Sequence, residues 1–464
     1  MTAPGGRTAT EPDRRKVFDV TYEIYVHVPF CLRRCGYCDF NTYTAADLGG
    51  GASRGNYANM AIREMELTRR WQETRGIDEP AASTVFFGGG TPTILSADDL
   101  VTMLDAVRRI WGLAPGAEIT TEANPDTVNE YYIGRLAEGG FTRISFGMQS
   151  AVPHVLRTLD RTHTPANVEA GVRAADAAGP RTSVDLLYGA PGERLDDWRT
   201  SVETAIGLGV NHISAYALTV EPTTKMGRRI AAGTLPKPDD DDEAAKYEIA
   251  DDLFSKAGLE WYEVSNWARA GYESRHNLGY WRNVDWAGIG PGAHSHYNAC
   301  VDAGARPPLT RALSEKLTGG ETASAQPKEQ ITGMNALRAW DISHPRMWGT
   351  AINEGRVPWG GSEEITPHEN LEELIMLGLR IREGLDLNRL NRAIASSSDT
   401  DADGSSRLKP IDPTQLKPMV DEGLITLTRG SGGVGTDGVH AIPTRKGRLL
   451  NDAVIERLFD LIGV

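Results

Sequence analysis

Short apolar segments alternate with amphipathic segments over the first half of this sequence, and this alternation limits the fold more than any other feature. Apolar runs and period-two patterns predict strands at 22–28, 84–87, 118–122, 142–148, 183–188 and 212–219. Helical spacing of apolar residues predicts helices at 57–75, 96–112, 128–137, 166–178 and 196–208. Such repetition builds a parallel sheet covered by helices, so the sequence predicts an α/β fold whose length suits a partial (β/α)6 barrel. Motifs that follow these strands are expected to converge on one face.

The chain has 464 residues, of which 40% are hydrophobic, and this length suggests two or three domains of ~150 residues. We expect a disordered tail at 1–19, the barrel at 20–265, a connecting region at 266–365, and a C-terminal domain at 366–464 with a disordered insert at 396–406. No apolar run approaches the ~20 residues that span a bilayer, and the first residues lack an apolar signal region, so a cytoplasmic protein is expected. The net charge of −14 disfavours nucleic acid as a partner.

Three of the four cysteines, Cys31, Cys35 and Cys38, follow the first predicted strand, which Pro29 ends. A disulfide accounts poorly for an odd cluster in a reducing compartment. A zinc site would need a fourth ligand, and it more often uses a CxxC pair. An iron–sulfur cube bound by three cysteines leaves one iron open to another ligand, and the spacing favours this interpretation.

The CxxxCxxC spacing, with Tyr37 before the last cysteine, resembles the cluster loop of the radical S-adenosylmethionine superfamily. This resemblance implies a [4Fe–4S] cluster on Cys31, Cys35 and Cys38, with S-adenosylmethionine chelating the open iron. One electron from the cluster would then cleave a carbon–sulfur bond of the cofactor to give methionine and a 5′-deoxyadenosyl radical. The segment GGGTPT, at 88–93, closely resembles the glycine-rich loop of the coproporphyrinogen oxidase branch of that superfamily.

The same resemblance implies a set of S-adenosylmethionine-binding residues. They are Tyr25, Tyr37, Gly89, Gly90, Thr91, Glu122, Gln149, Arg161 and Asp185. Taken singly, most of these residues would be structural: the glycines would form a tight turn, and Glu122 would be a solvated strand-end carboxylate. Asp185 stands inside an apolar strand, where an isolated charge is costly, so it should have a partner or face a cavity.

Two families of this branch are compatible with the cluster loop: the oxygen-independent coproporphyrinogen III oxidase, HemN, and the haem chaperone HemW. The oxidase carries CxxxCxxCxC, whereas Phe40 stands at the position of the additional cysteine here. Only a short tail precedes the first strand, whereas the oxidase has a longer N-terminal segment. RHNLGYWRN, at 275–283, contains the HNxxYW motif typical of HemW. These features favour resemblance to HemW, with no catalytic residue assigned.

The motif residues His276, Asn277, Tyr280 and Trp281 are the expected haem-binding residues. An imidazole could ligate haem iron, and aromatic rings could pack against a porphyrin. A packed loop with a satisfied imidazole would show the same residues. The next segment, GIGPGAHSH at 288–296, carries His294 and His296, which we do not assign as ligands.

The last hundred residues predict a helix at 367–382, a helix at 413–422, strands at 424–428 and 439–443 around a glycine-rich tip at 430–438, and a helix at 444–461. This order is typical of a winged-helix-like α+β domain, with DNA binding as the alternative that the acidic charge disfavours. The implied partners are haem and acceptor haemoproteins, including membrane-associated respiratory proteins that would bring the chain to the membrane periphery. A homodimer is compatible with the sequence.

Overall fold

The computed structural model describes residues 21–298, 336–396, 408–429 and 438–463. The predicted tail at 1–19, almost all of the predicted insert at 396–406, and all but the last residue of the predicted tip at 430–438 lie outside these ranges.

Six parallel strands with intervening helices form the first half of the chain. The strands are β1 (Tyr22–Val28), β2 (Ala82–Gly89), β3 (Leu113–Ala123), β4 (Arg143–Gln149), β5 (Arg181–Tyr188) and β6 (His212–Ala217). The helices are α1 (Tyr57–Arg75), α2 (Ala97–Ile110), α3 (Glu130–Gly139), α4 (Pro153–Thr158), α5 (Pro165–Ala178), α6 (Leu195–Gly207), α7 (Lys225–Ala231) and α8 (Asp240–Lys256). The α/β prediction is therefore confirmed, although β3 begins five residues earlier than its apolar pattern indicated.

Local sequence signals set the ends of several helices. Ser96 caps α2, since its hydroxyl accepts from the Asp99 N–H at 3.1 Å, and the Asp99 carboxylate accepts from the Ser96 N–H at 3.3 Å. Gly76 ends α1 in the left-handed region at φ 71°. The apolar faces of these helices pack on the sheet and bury side chains such as Met65 and Leu104. Each buried side chain of that size contributes roughly 1.5–3 kcal/mol.

Additional strands extend the parallel sheet at both edges. They are β7 (Glu260–Glu263), β8 (Asn266–Ala268), β9 (Asp285–Ile289), β10 (His294–Tyr297), β11 (Ala336–Asp341) and β12 (Trp359–Ile365). The strand order is β12-β11-β10-β9-β1-β2-β3-β4-β5-β6-β8-β7. Strand β9 pairs with β1 in parallel, with Tyr25 opposite Gly288, while β10, β11 and β12 are antiparallel. Periodicity alone predicted neither β11 and β12 nor the helix between them, α10 (Pro345–Asn353).

The short helix α9 (Arg275–Trp281) lies between β8 and β9 in the chain. The Ser274 hydroxyl caps it by accepting from the Asn277 N–H. Gly279 lets α9 approach β1, because a Cβ at this position would lie 2.0 Å from the Glu23 carboxylate. The HNxxYW motif is therefore packed directly on the central sheet.

The C-terminal region has its own hydrophobic core and a three-stranded antiparallel sheet of order β13-β15-β14. Its elements are α11 (Pro367–Gly378), β13 (Leu385–Asp386), α12 (Leu387–Ser396), a 3-10 turn (Pro413–Leu416), α13 (Lys417–Asp421), β14 (Ile425–Arg429), β15 (Val439–Pro443), α14 (Arg445–Leu449) and α15 (Asn451–Ile462). The helix predicted at 444–461 is two helices, because Leu450 leaves helical geometry at φ −115° and ψ 29°. The helix predicted at 413–422 begins as the 3-10 turn and becomes α-helical only at Lys417.

Candidate cofactor site and an adjoining cavity

A cavity of about 550 Å³ opens at the carboxyl ends of the parallel strands. The predicted residues that line it are Cys31, Cys35, Tyr37, Cys38, Gly89, Gly90, Thr91, Glu122, Gln149, Arg161 and Asp185. They come from separate loops and strand ends, which the parallel sheet brings to one edge. Tyr25 lines a neighbouring cavity instead, although its ring stacks at 6.3 Å on Phe86, which does line the first one.

Backbone hydrogen bonds hold the cysteine loop at the end of β1. The Cys31 N–H donates to the Tyr43 carbonyl at 3.0 Å, and the Tyr43 N–H donates to the Pro29 carbonyl at 2.7 Å. The Arg54 guanidinium donates to the Cys31 carbonyl at 3.1 Å. These contacts close the loop at its base and leave its middle facing the cavity.

The glycine-rich loop after β2 packs directly on the cysteine loop. The Gly90 N–H donates to the Val28 carbonyl at 2.8 Å, and the Thr91 N–H donates to the Phe30 carbonyl at 2.8 Å. A Cβ at Gly90 would lie 2.5 Å from the Phe30 oxygen, so only glycine permits this approach. Packing of the two loops therefore explains the glycine at this position, whether or not the loop also binds a ligand.

The three thiols differ in their surroundings. Burial raises the pKa of the Cys31 and Cys38 thiols. The Thr91 hydroxyl lies 3.7 Å from the Cys31 sulfur, and the Arg161 guanidinium lies 3.6 Å from the Cys35 sulfur. Both contacts favour a negatively charged sulfur, the form that ligates metals.

Within the described ranges, no group of three or more His, Cys, Asp or Glu side chains is arranged to hold a single metal ion. The preference for an iron–sulfur cluster over zinc therefore rests on the spacing of the cysteines in the sequence.

Two buried polar side chains of this cavity, Gln149 and Glu122, are satisfied only in part by the protein, since Glu122 accepts a backbone hydrogen bond from Gly89 but its pKa is still raised. The Gln149 side-chain oxygen is buried without a hydrogen-bond partner, and its backbone is in the left-handed region at φ 56°. Burial, followed by repulsion from Asp185, raises the pKa of the Glu122 carboxyl to about 8. A ligand that brings a cation or hydroxyl donors would relieve both groups.

Asp185 has the partner that its position in an apolar strand requires. The Ser145 hydroxyl lies 2.9 and 3.1 Å from its two carboxylate oxygens, and the Ser183 hydroxyl donates to Ser145 at 2.7 Å. Burial raises the pKa of Asp185. Asp185 was expected either to have a hydrogen-bond partner or to face a cavity, and in the structure it does both.

Sequence reasoning missed several cavity residues on the strands themselves. They are Arg143 and Ser145 on β4, and Ser214 and Tyr216 on β6. Each pair stands two residues apart, and alternate residues of a strand face the same side of a sheet. Polar side chains at alternate positions of otherwise apolar strands are the signal that could have found them.

Helix α9 separates the motif residues between two cavities. Asn277 lines the first cavity, whereas Tyr280 and Trp281 line a second one of about 490 Å³. His276 lies between them and is 2% exposed. Its Nδ1 is 2.7 Å from the Thr84 hydroxyl, and its Nε2 is 3.1 Å from the Tyr280 hydroxyl. Burial, followed by the charge of Arg143, lowers the pKa of His276 to about 3, so the ring is neutral.

The second cavity lies between the barrel sheet and the C-terminal region. Besides Tyr280 and Trp281, it is lined by Tyr25, His27, Asn283, Trp286, Gly292, Ala293, His294, Arg338, Glu373, Met376 and Leu377. Helix α11 supplies the last three of these. His294, which the sequence did not indicate as a ligand, reaches this cavity, while His296 is buried and stacks on Trp286 at 4.8 Å.

Comparisons with known proteins agree with this architecture. The Radical SAM superfamily matches residues 25–205, and the HemN C-terminal domain family matches residues 365–431. The solved structure of coproporphyrinogen III oxidase, HemN, from Escherichia coli superposes with a TM-score of 0.69 at 18% identity, over 94% of this chain and 89% of that chain. Fold and site together define a radical SAM protein with a HemN-type C-terminal domain.

Curated relatives narrow the assignment further. The "Heme chaperone HemW" of Mycobacterium tuberculosis is 37% identical over 94% of this chain and 94% of its own length. The protein of the same name from Bacillus subtilis is 31% identical over 86% of this chain and 92% of its own length. The chain belongs to the HemW family.

Proposed function

We propose that this protein is a haem chaperone that carries a [4Fe–4S] cluster, binds S-adenosylmethionine beside it and delivers haem to acceptor haemoproteins. The observation that carries the proposal is the position of α9, whose motif borders both the cysteine-bearing cavity and an aromatic-lined cavity beside it. Curated relatives that match over most of this chain carry the name heme chaperone, which supports the same role here.

The donor set of the first cavity suits an iron–sulfur cluster. Cys31, Cys35 and Cys38 would hold three irons, and the protein offers no fourth sulfur at Phe40. Arg161, close to the Cys35 sulfur, would offset part of the negative charge that three thiolates bring. A cluster held in this way leaves one iron available to a small ligand.

The remaining groups of the first cavity suit S-adenosylmethionine. Glu122 can hold the cofactor's ammonium group or a ribose hydroxyl, and Gln149 offers its unpartnered oxygen to a donor. Arg161 can orient the carboxylate, because a guanidinium offers paired donors. Asp185, Tyr37 and the loop from Gly89 to Thr91 complete the enclosure, with Tyr25 behind them. Bound together, cluster and cofactor would supply one-electron chemistry, while these residues bind, orient and exclude water.

The second cavity suits a flat apolar ligand such as haem. Tyr280 and Trp281 present aromatic surface, and Asn277 and His276 hold the helix that carries them. Cofactor sites commonly occupy clefts of about 300–1,000 Å³ lined by such residues. The acceptors would be haemoproteins, including membrane-associated ones. We place the protein in a reducing compartment such as the cytoplasm, because the three free thiols of the cysteine loop would be prone to oxidation elsewhere. Every helix in the described ranges is too short or too polar to cross a bilayer.

Anaerobic reconstitution with iron and sulfide tests the cluster. Replacing Cys31, Cys35 or Cys38 by Ala should abolish the visible iron–sulfur absorption and lower bound iron. Replacing Cys300 by Ala is the matched control and should leave both unchanged. Full cluster content in the three variants would refute the ligand assignment.

Oxygen-independent coproporphyrinogen III oxidase activity is the second candidate, because the HemN fold covers nearly the whole chain. Anaerobic incubation with coproporphyrinogen III, S-adenosylmethionine and a reductant separates the two functions. The chaperone proposal expects no protoporphyrinogen above background, and it expects transfer of bound haem to an apo-haemoprotein. Product formation at enzymatic rates would favour the oxidase.

A further inference from the structure

We propose that His294 supplies the imidazole that ligates haem iron in the second cavity, and that His276 is a positioning residue that holds Tyr280 in the cavity wall. This inference rests on the proposed function and names the chemistry of its haem site. It places the iron ligand outside the HNxxYW motif, at the first residue of β10, directly after the glycine-rich turn that follows β9.

The cavity already contains the surfaces that a porphyrin needs. Tyr280 and Trp286 meet edge to face, with ring centroids 4.9 Å apart and planes at 73°. Trp281 extends the same wall, and the Arg380 guanidinium lies 5.7 Å from its ring centroid on the side of the C-terminal region. Met376 and Leu377 of α11 form the facing wall. An apolar disc can therefore enter between the sheet and α11.

Most donor atoms around this cavity are already engaged. The Tyr25 hydroxyl lies 3.1 Å from His27 Nδ1, and His27 Nε2 lies 3.0 Å from the Asn41 carbonyl. The Tyr280 hydroxyl lies 3.1 Å from His276 Nε2. Iron binding to any of these groups would first have to break a buried hydrogen bond, which is costly.

His294 differs from these groups because its imidazole forms no hydrogen bond within the described ranges. Its ring contacts Trp340 at a centroid distance of 6.1 Å and is otherwise directed to the cavity. Burial lowers the pKa of His294, which keeps the ring neutral near pH 7. A neutral imidazole at this position would bind haem iron through its lone pair, with no proton or electron released.

The backbone fixes the position of His294. It is the first residue of β10 and pairs with Trp340 of β11. The preceding turn requires the positive φ values of Gly290 and Gly292, 106° and 80°. Its Gly290 N–H donates to the buried Glu64 carboxylate at 2.8 Å. The His294 imidazole therefore follows a turn that is held by the Glu64 hydrogen bond before it and by the pairing of β10 with β11 after it.

His276 has the opposite character. Both of its ring nitrogens have partners, on Thr84 and on Tyr280, and its ring stacks on Phe86 at 5.0 Å. It cannot reach an iron in the second cavity while Tyr280 stands between. Its effect on haem binding is therefore indirect, through the orientation of Tyr280.

The test is a haem titration of the full-length, cluster-reconstituted protein, followed by absorption and electron paramagnetic resonance spectra. His294→Ala should weaken haem affinity by at least about tenfold, the scale of losing a metal-site contact, and should change the spin state of the iron. His294→Gly should regain the wild-type spectrum when free imidazole is added. His276→Ala should weaken binding but keep the spectral signature of histidine ligation. His154→Ala, at an exposed histidine that pairs with Asp197 on α6, is the matched control and should change neither.

The outcomes separate this inference from the proposed function. If the wild-type protein binds no haem, the proposed function fails. If the wild-type protein binds haem and His294→Ala keeps both affinity and spectrum, the proposed function stands and the ligand assignment is wrong. The assignment of His294 would also be wrong if His276→Ala lost the spectrum of histidine ligation. It would likewise be wrong if Met376→Leu lost iron ligation while His294→Ala kept it. Unchanged iron and sulfide content in each variant shows that the protein is folded.

Discussion

Gly90 offers the sharpest test of how the first cavity is held together. At this position the glycine-rich loop crosses the cysteine loop, and an added Cβ would lie 2.5 Å from the Phe30 oxygen and 2.9 Å from the Val28 oxygen. Both neighbours are backbone atoms, which cannot rotate away as a flexible side chain can. Gly90→Ala must therefore separate the two loops.

The magnitude follows from the contacts that separation would break. Two backbone hydrogen bonds, Gly90 to Val28 and Thr91 to Phe30, join the loops, and each contributes ~0.5–1.5 kcal/mol. Overpacking of a tight contact costs a further ~1–3 kcal/mol. We expect Gly90→Ala to lower the free energy of unfolding by about 2–6 kcal/mol. Iron incorporation should fall too, because Cys31 follows Phe30 directly.

Urea unfolding, with iron and sulfide analysis after reconstitution, measures both effects. Gly134→Ala in α3 is the matched control, since a Cβ there meets no atom within 4 Å. It should be neutral or stabilise the protein by up to ~1 kcal/mol, the helix-propensity difference between glycine and alanine. If Gly90→Ala unfolds within ~0.5 kcal/mol of the wild type and binds a full cluster, the loop contact does not have the proposed importance.

Three further substitutions probe other buried contacts. Glu122→Gln should flatten the pH dependence of stability. Because the pKa of Glu122 is raised to about 8 in the folded protein, the wild type loses stability as the pH rises from the ordinary carboxyl range through 8. Urea midpoints of both proteins at pH 6 and pH 8.5 measure this effect. Equal slopes for both proteins would contradict this. Lys246→Met should lower the free energy of unfolding by ~3–5 kcal/mol, because it leaves the buried Glu193 carboxylate, 3.1 Å away, without its cation. Lys417→Met, at an exposed ion pair, should lower it by no more than ~1 kcal/mol. Similar losses in the two lysine variants would be inconsistent with a buried pair. Gly279→Ala should push α9 away from β1 and weaken haem binding while leaving iron content unchanged; wild-type haem affinity would show that the helix position does not matter.

Much of the barrel was predictable from local patterns. Apolar runs predicted strands β1 to β6, and capping residues such as Ser96 and Gly76 marked helix ends. These signals work because strand and helix periods are properties of neighbouring residues. The predictions were less accurate where propensity and tertiary packing disagree, as at Leu450, where one predicted helix is two.

The candidate site was predicted in part. The cysteine spacing and the glycine-rich loop indicated the first cavity, and the structure brings these residues together with Glu122 and Asp185. The strand residues Arg143 and Ser214 were missed: their alternation with Ser145 and Tyr216 places each pair on one face of its strand, but it does not say which face borders the cavity. That face is set by the register of six paired strands.

The sequence by itself determined which functional groups the chain contains: three thiols in one short loop, a glycine-rich turn, and an HNxxYW segment on a helix-forming stretch. Only the tertiary structure decided which of these groups meet. Strand β9 pairs with β1, more than two hundred residues earlier in the chain, and that pairing places α9 between two cavities and brings His294 to the same cavity as Tyr280. Contacts of this kind depend on sheet order and packing, since periodicity describes only residues that are neighbours along the chain.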